Sequence, residues 1–220
     1  MKVLVLDVGG SNLKLRVTGH EDRTKIPSGA DYSPERMMAD LKRATDGWEY
    51  DVATVGFPAP VVDNRLATEP WNLGTGWVNF DFEKEIGKPV KLINDAAMQA
   101  IGCYDGGRML FLSLGTGLGS ALIDDYKVIG LELSRLRYSS KYSLEDRLGK
   151  AGQEVSGRKK WEERFHRTLK MLRMAFVPDY IVVGGGEAKR LRNAEDFRRV
   201  DNMAALEGGE RLWNDERFKL

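Results

Sequence analysis

The sequence predicts an internally duplicated α/β protein, because one strand–turn–strand pattern occurs twice among further strand and helix signals. In the first unit, the apolar run Val3–Leu6 precedes a glycine-containing turn, and residues 13–17 then alternate apolar and polar side chains. In the second unit, Met109–Leu114 precedes the turn Gly115–Ser120 and the returning strand Ala121–Ile123. Two such units roughly a hundred residues apart indicate two halves, each with a hairpin that faces a central cleft.

Strands and helices alternate through the rest of the predicted fold. Ser-Pro-Glu at 33–35 is typical of a helix start, because proline suits the first helical position. A loop rich in tryptophan and glycine occupies 70–77. The other predicted strands are Val52–Phe57, Val90–Ile93 and Tyr180–Val183, and the predicted helices cover 33–44, 96–104, 158–177 and 202–213, with another beginning over Glu187–Leu191. Gly208-Gly209 is expected to interrupt the last helix.

The helix over 158–177 has the clearest pattern, with one apolar stripe from Trp161 to Phe176 and basic residues on its other faces. Its first residues, Arg158-Lys159-Lys160, could form a patch for a polyanion. We favour a solvated helix face, because Glu162 and Glu163 interrupt the basic run.

Composition excludes several classes of protein. The 220 residues include 34 Lys and Arg against 33 Asp and Glu, so a net charge of +1 predicts no general attraction to nucleic acid or to a membrane. A single cysteine, Cys103, excludes an internal disulfide framework and a cysteine-rich zinc site. Asp7 cuts the first apolar run short, so we expect no signal peptide or membrane span, a cytoplasmic location and one or two domains.

Three glycine-rich turns, at 9–11, 115–120 and 184–186, are candidate phosphate sites. Glycine lets backbone N–H groups approach phosphate oxygens with no β-carbon in the way. The chain has no P-loop sequence, and the turn at 115–120 is followed by a strand rather than by the helix of a Rossmann fingerprint.

Two carboxylates end predicted strands beside these turns. Asp7 could hold Mg²⁺ through water next to a polyphosphate, or it could cap the turn. Asp95 could accept the proton of an attacking hydroxyl while Asn94 hydrogen-bonds a neighbouring hydroxyl. The alternative for Asn94-Asp95 is an ordinary helix N-cap.

Six short sequences occur in the order found in ROK-type sugar kinases of the actin-like ATPase superfamily. They are VLDVGGSNLKL, GFPAPV, NLGTGW, LINDAAMQAIG, LSLGTGLGSALI and IVVGGGEAK. The chain most resembles the polyphosphate glucokinases and glucomannokinases of that family, and the resemblance continues through WEERF and NMAALEGG. It implies a hexose kinase that transfers a phosphoryl group from ATP or polyphosphate to the 6-hydroxyl of glucose or a related sugar, with Mg²⁺.

The resemblance also implies a two-domain actin-like ATPase fold, which is ribonuclease H-like and has a central cleft. The smaller N-terminal α/β domain would cover 1–97 and the larger one 98–202, each built on a five-stranded sheet. A C-terminal helix at about 203–216 would pack back on the first domain.

Individual roles follow from matching positions of the family motifs. Asp95 falls on the catalytic base, and Asn72, Asn94, Glu132 and, more loosely, Glu145 fall on sugar ligands. The phosphate- and nucleotide-binding positions would be Asp7, Gly9, Gly10, Ser11, Gly115, Thr116, Gly117, Gly184, Gly185 and Gly186, with Asp7 also the Mg²⁺ ligand.

The chain departs from the family at the motif Glu-Leu-Gly-His, which here is Glu132-Leu133-Ser134-Arg135. Imidazole can donate and accept a hydrogen bond, whereas guanidinium only donates and keeps its charge. The pocket could therefore prefer a sugar with an anionic group. Alternatively, Arg135 pairs with Glu132 or turns to solvent, which would leave a catalytically weakened sugar- or nucleotide-binding protein.

Partners and donor follow from the same comparison. The zinc-binding cysteines and the DNA-binding helix-turn-helix of some ROK proteins are absent from this sequence, so we expect no structural zinc and no nucleic-acid partner. A small-molecule sugar is the expected partner, and a homodimer is consistent with the fold. Use of polyphosphate would need a basic track to the cleft, for which Lys14, Arg16 and 158–160 are candidates.

Overall fold

The computed structural model describes residues 1–20, 23–201 and 203–220. The strands are β1 (Val3–Val8), β2 (Asn12–Val17), β3 (Thr24–Pro27), β4 (Val52–Phe57), β5 (Val61–Val62), β6 (Arg65–Leu66), β7 (Val90–Asn94), β8 (Arg108–Leu114), β9 (Leu118–Asp124), β10 (Lys127–Leu131), β11 (Tyr180–Gly184) and β12 (Arg198–Arg199). The helices are α1 (Pro34–Ala44), α2 (Phe82–Ile86), α3 (Asp95–Gly102), α4 (Leu144–Leu148), α5 (Lys150–Ser156), α6 (Arg158–Phe176) and α7 (Met203–Asn214).

Two five-stranded sheets repeat one topology, in the orders β3-β2-β1-β4-β7 and β10-β9-β8-β11-β12. In each sheet, three antiparallel strands come first and two parallel strands complete the other edge. The predicted duplication and both predicted hairpins, β1–β2 and β8–β9, are therefore confirmed. Because β1, β4 and β7 run parallel, their carboxyl ends meet at one edge of the first sheet.

Helices α3 and α7 pack against each other in a core that joins both sheets. Their approach is close, because a β-carbon at Gly102 would overlap the backbone of Ala204, and one at Gly208 would overlap the carbonyl of Met98. The prediction that Gly208-Gly209 interrupts the last helix is wrong. Helix α7 continues through both glycines, because each leaves room for a neighbouring element. The predicted start at Asn202 lies outside the described residues.

Side-chain and backbone groups of α7 hydrogen-bond to the first sheet. Arg16 of β2 pairs with Glu210 at 2.8 Å, and Thr54 Oγ1 donates to the Gly209 carbonyl at 2.8 Å. Helix α7 therefore contacts β1 and β4 of the first sheet as well as α3. The boundary after residue 97 stays a prediction, and that position lies inside α3, which contacts both sheets.

The outer face of each sheet has its own core. Trp77 and Phe82 are buried beneath the first sheet, and the stripe of α6 from Trp161 to Leu172 covers the second. The helix predicted to begin over Glu187–Leu191 is only a 3₁₀ turn at Ala188–Arg190. The chain turns back there because the Glu187 N–H donates to the carbonyl of Leu114 at the end of β8.

None of the helices in the described ranges is both long and apolar enough to cross a membrane.

Candidate active site

A cavity of about 540 Å³ lies in the cleft between the two hairpin turns and the N-terminus of α3. It collects nearly all of the site residues expected from the sequence. Its lining includes Asp7, Gly9, Gly10, Ser11, Asn72, Asn94, Asp95, Gly115, Thr116, Gly117, Glu132, Arg135, Glu145, Gly185 and Gly186. Gly184 is the exception, because it ends β11 and its α-carbon packs near Phe111 and Gln99.

Asn94, and not Asp95, is the N-cap of α3. Its Oδ1 accepts from the N–H groups of Ala96 at 3.0 Å and Ala97 at 3.1 Å, and its amide donates to the Ala59 carbonyl at 3.4 Å. Asp95 is therefore the first residue of the helix and is not needed as its cap. The oxygen of Asn94 is already used as an acceptor, so a ligand could bind this side chain only through the hydrogens on Nδ2.

Asp95 is half-buried at the carboxyl edge of the first sheet, and its pKa is raised to about 7. Loss of solvation is the largest cause, and the negative charges of Asp7 and Glu132 add to it. The Ala96 N–H and the charge of Lys14 act in the opposite direction. A carboxylate with a pKa near neutrality is suited to accept a proton in catalysis.

Lys14 was expected only as a candidate for a basic track to the cleft, and not as a partner of Asp7. Its Nζ lies 2.6 Å from Oδ2 of Asp7, and both side chains line the cleft. The signal for this contact is the hairpin register, which sets Asp7 directly opposite Lys14. Lys14 thus neutralises Asp7, and Arg16 pairs with Glu210, so neither extends outward as a basic track.

Residues of both hairpin turns line the cavity, and several of their backbone N–H groups have no acceptor among the described residues. Gly9 and Gly115 close the turns by donating to the carbonyls of Asn12 and Gly117, each at 3.0 Å. Within the described chain, the N–H groups of four other turn residues donate no hydrogen bond: Gly10, Ser11, Thr116 and Gly117. Turns of this kind, with unpaired N–H groups in residues that line one cavity, can hold anionic oxygens.

Glu145 lies beside the second turn. A β-carbon at residue 117 would come within 2.7 Å of Oε2 of Glu145, so the glycine makes room for this carboxylate. Lys150 also lines the cleft, and its backbone N–H donates to the Gly115 carbonyl at 3.1 Å. The loose sugar-ligand match of Glu145 therefore corresponds to a position at the glycine turn.

The tryptophan-rich loop is held by Glu69, which the sequence did not single out. Its carboxylate accepts from the N–H groups of Gly76, Trp77 and Val78 at 3.1–3.3 Å. This brings Asn72 against Gly10 of the first turn, where no side chain would fit. Oδ1 of Asn72 is buried and has no hydrogen-bond partner within the described residues, which marks it as an acceptor available to a ligand.

Glu132 and Arg135 line the opposite wall. Ser120 supports this segment, since its hydroxyl donates to the Leu131 carbonyl and accepts from the Leu133 N–H. Desolvation raises the pKa of Glu132, against the lowering effect of the Arg135 charge. Of the two alternatives for Arg135, pairing with Glu132 is not formed: the residue is exposed and has no ion pair within the described ranges.

The cleft suits Mg²⁺ only if a substrate completes its coordination. No group of three His, Cys, Asp or Glu side chains among the described residues could hold a metal ion. Asp7 and Asp95 nevertheless place carboxylate oxygens beside turns with unpaired N–H groups. Mg²⁺ is commonly bound by one or two carboxylates, waters and substrate phosphates, so this donor set fits.

Comparison with known proteins supports the resemblance seen in the motifs. The chain is 25% identical over 211 residues to the polyphosphate glucokinase of Mycobacterium leprae, and the aligned region covers 84% of this chain and 63% of that protein. It is 28% identical over 141 residues to the N-acetylmannosamine kinase of Vibrio vulnificus, and this alignment covers 56% of the chain and 47% of that kinase. The chain thus spans less than two thirds of these relatives. No family model matches it.

Among solved structures, the polyphosphate/ATP-glucomannokinase of Arthrobacter sp. strain KM superposes with a TM-score of 0.78 at 23% identity, covering 94% of this chain and 96% of that one. The chain has the fold of the ROK sugar kinases. A ROK glucokinase from Streptomyces griseus, solved with glucose and AMPPNP, superposes with a TM-score of 0.74 at 15% identity, covering 96% of this chain and 99% of that one. The predicted actin-like ATPase fold and the resemblance to ROK sugar kinases are confirmed.

Proposed function

We propose that this protein is a hexose kinase that transfers a phosphoryl group from ATP or polyphosphate to the 6-hydroxyl of glucose or a related sugar. One observation carries the proposal. Asp95, with its pKa raised to about 7, lies in the cleft between two glycine turns, while Asn94 performs the capping role that would otherwise occupy it. A general base between a hydroxyl site and a phosphate site is the minimum that phosphoryl transfer requires.

In this proposal, Asp95 accepts the hydroxyl proton as the sugar oxygen attacks the transferred phosphorus in line. The unpaired N–H groups of the turns at 9–11 and 115–117 bind the donor phosphates and stabilise the charge that develops on them. Asp7 would hold Mg²⁺ through water, and the ion would neutralise donor-phosphate charge when bound. The Asp7 carboxylate also helps keep the pKa of Asp95 high.

On the sugar side, the proposed ligands are Asn72, Asn94, Glu132 and Arg135. Asn72 offers an unpaired acceptor, and Asn94 offers the amide hydrogen that does not donate to the Ala59 carbonyl. Glu145 lies at the second turn, so we place it at the boundary between sugar and donor. Gly185 and Gly186 line the far end of the cleft and would contact the nucleoside of ATP. The proposal includes two domains, 1–97 and 98–202, a cytoplasmic location and a homodimer.

Arg135 supports a second candidate, a sugar- or nucleotide-binding protein with weakened catalysis. Arg135 lines the cavity with no carboxylate partner within the described chain, at the position where the family motif has histidine. It can only donate hydrogen bonds, so it suits a sugar carrying an anionic group better than a neutral one.

The deciding experiment is a Mg²⁺-dependent phosphorylation assay that crosses ATP and polyphosphate with glucose, mannose, N-acetylated hexosamines and acidic sugars. Asp95→Asn should lower turnover by at least about 10²-fold while calorimetry shows that sugar still binds. Asp46→Asn, an exposed carboxylate in the turn after α1, is the matched control and should retain turnover. Turnover near the wild-type value in Asp95→Asn would refute the assignment of the base. Sugar binding by the wild-type protein without transfer from any donor would select the second candidate.

A further inference from the structure

A second cavity, of about 360 Å³, lies outside the cleft between the loop at 138–142 and helix α6. We call it the basic cavity because of its charged lining. Five side chains on its walls are cationic and one is acidic: Lys141, Arg147, Lys160, Arg164, Arg167 and Glu163. Its volume falls in the range of about 300–1,000 Å³ that is usual for sites of small ligands.

Helical spacing explains why α6 presents cations to this cavity. Lys160, Arg164 and Arg167 follow one another at intervals of four and three, which places them on one face of the helix. The neighbouring residue Lys159 lines a different surface together with Lys170. The basic run at 158–160 is therefore not one patch, because only Lys160 of its two lysines faces the basic cavity.

The walls of the basic cavity are fixed by hydrogen bonds. Tyr138 and Ser139 both donate from their N–H groups to the Tyr142 carbonyl, at 2.8 and 3.0 Å, which closes the loop. Ser143 then caps α4 through a reciprocal pair of bonds with Asp146. The indole of Trp161 in α6 donates to the Leu148 carbonyl at the end of α4, at 2.7 Å. Loop, α4 and α6 thus form one unit around the cavity.

Two guanidinium groups are held in place there without an anionic partner. Arg147 stacks over the ring of Tyr142, with its central carbon 3.4 Å from the ring centroid. Nη1 of Arg164 is buried and has no hydrogen-bond partner within the described residues. A buried, unpartnered N–H group of a charged side chain is costly, so an acceptor that occupies the cavity would remove that cost.

None of the five cations forms an ion pair in the described ranges, although acidic residues are as frequent as basic ones in the chain. Their mutual repulsion opposes folding and favours the binding of an anion. Three of the five are arginines, whose planar fork of donors suits the oxygens of phosphate.

We propose that the basic cavity is a binding site for a phosphate-rich polyanion, separate from the phosphoryl-transfer cleft. The shared chemistry is a run of linked phosphates, which inorganic polyphosphate or the triphosphate of a nucleotide could supply. A single-stranded nucleic acid is disfavoured, because base stacking needs open aromatic faces and Arg147 covers one face of Tyr142. The site does not depend on the proposed kinase activity.

Calorimetric titrations with a short inorganic polyphosphate, with ATP and with an oligouridylate test this site, without sugar or Mg²⁺. Lys160→Glu/Arg167→Glu removes two of its cations, and Lys159→Glu/Lys170→Glu is the control with the same charge change on the same helix. Polyphosphate affinity should fall at least about tenfold in the first double variant and by less than about threefold in the control. Both double variants leave the cleft lining intact, so any polyphosphate bound in the cleft contributes equally to the two titrations.

Arg164→Met keeps the apolar stem and removes the unpartnered N–H group, so it should weaken polyphosphate binding with no loss of thermal stability. Binding of polyphosphate alone, or of ATP as well, supports the site and identifies the source of the phosphates. An equal loss of polyphosphate affinity in both double variants, or no loss of affinity in either, would overturn the proposal. Tighter binding of the oligouridylate through the same cations would also overturn it, in favour of nucleic acid.

Discussion

Asp95 should destabilise the folded protein at neutral and alkaline pH, so Asp95→Asn should raise stability while it lowers turnover. The pKa of Asp95 rises from an ordinary value of 3.8 to about 7, chiefly because the carboxylate loses solvation. Between these values the folded state binds more protons than the unfolded state, so stability is lost as pH rises through the folded pKa. Asparagine does not titrate, and its oxygen can still accept from the Ala96 N–H.

The magnitude follows from the size of the pKa change. A rise of about three pKa units corresponds to at most about 4 kcal/mol, at 1.36 kcal/mol per unit. Because Asp95 is only half-buried, we expect about 2 kcal/mol at pH 8, or a rise of about 4–8 °C in Tm. At pH 4 or below, the carboxyl is protonated in the folded protein, and the variant and wild type should differ little.

Thermal unfolding of wild type, Asp95→Asn and the control Asp46→Asn at pH 4 and pH 8 measures this difference directly. Asp46 is exposed, so its variant should show no comparable change between the two pH values. The reasoning is wrong if Asp95→Asn is destabilised at pH 8, or if it is stabilised equally at both pH values. A pH-independent gain in Tm would indicate better packing and not the removal of a desolvated carboxylate.

Three further predictions concern the surroundings of Asp95 and the core. Lys14→Met should move the acid limb of the turnover–pH profile upward by about one pH unit, because it removes a cation that lowers the pKa of Asp95. Asp7→Asn should instead lower the pKa of Asp95, as NMR of the carboxyl carbons would show. If both variants moved the pKa of Asp95 in the same direction, this account would be contradicted. Gly208→Ala should cost about 2 kcal/mol or more in the free energy of unfolding, because α3 cannot move away freely. Gly130→Ala is the control and should cost under about 1 kcal/mol, because a β-carbon there makes only ordinary contact. Denaturant titrations of both variants measure the two costs. Arg135→His should raise kcat/KM for glucose relative to an acidic sugar by about tenfold or more in the same phosphorylation assay, and an unchanged ratio would show that Arg135 does not select the sugar.

The sequence predicted the architecture well, because its signals are local and repeated. Both hairpins, the parallel strands beside them and the stripe of α6 follow from apolar periodicity and glycine turns. The short strands β5, β6 and β12 could not be predicted, since each has only two residues and exists through its neighbours. The error at Gly208-Gly209 has the same origin, because helix propensity cannot register that α3 lies against Gly208 and β1 against Gly209.

In the cleft, residue identity was easier to predict than residue role. Asn94 and Asp95 were recognised together, but only the backbone geometry shows that Asn94 caps the helix, while Asp95 accepts only from the neighbouring Ala96 N–H. Lys14 illustrates the converse, since its pairing with Asp7 follows from strand register and was within reach of the sequence. Glu69 was beyond reach, because it acts through three backbone N–H groups of a loop whose conformation no local pattern determines.

The basic cavity shows how a run of charges should be interpreted on a helix. Lys159 and Lys160 are adjacent in sequence, yet they face different surfaces, because successive residues of an α-helix point about 100° apart. The informative signal was the set of cations at 160, 164 and 167, which share one face whatever the charges between them. Glu163 interrupts the run in sequence but leaves a clear excess of positive charge at the cavity. The presence of Arg147 at the same place required the loop at 138–142 to fold onto α6, so the helix alone predicted only half of this site.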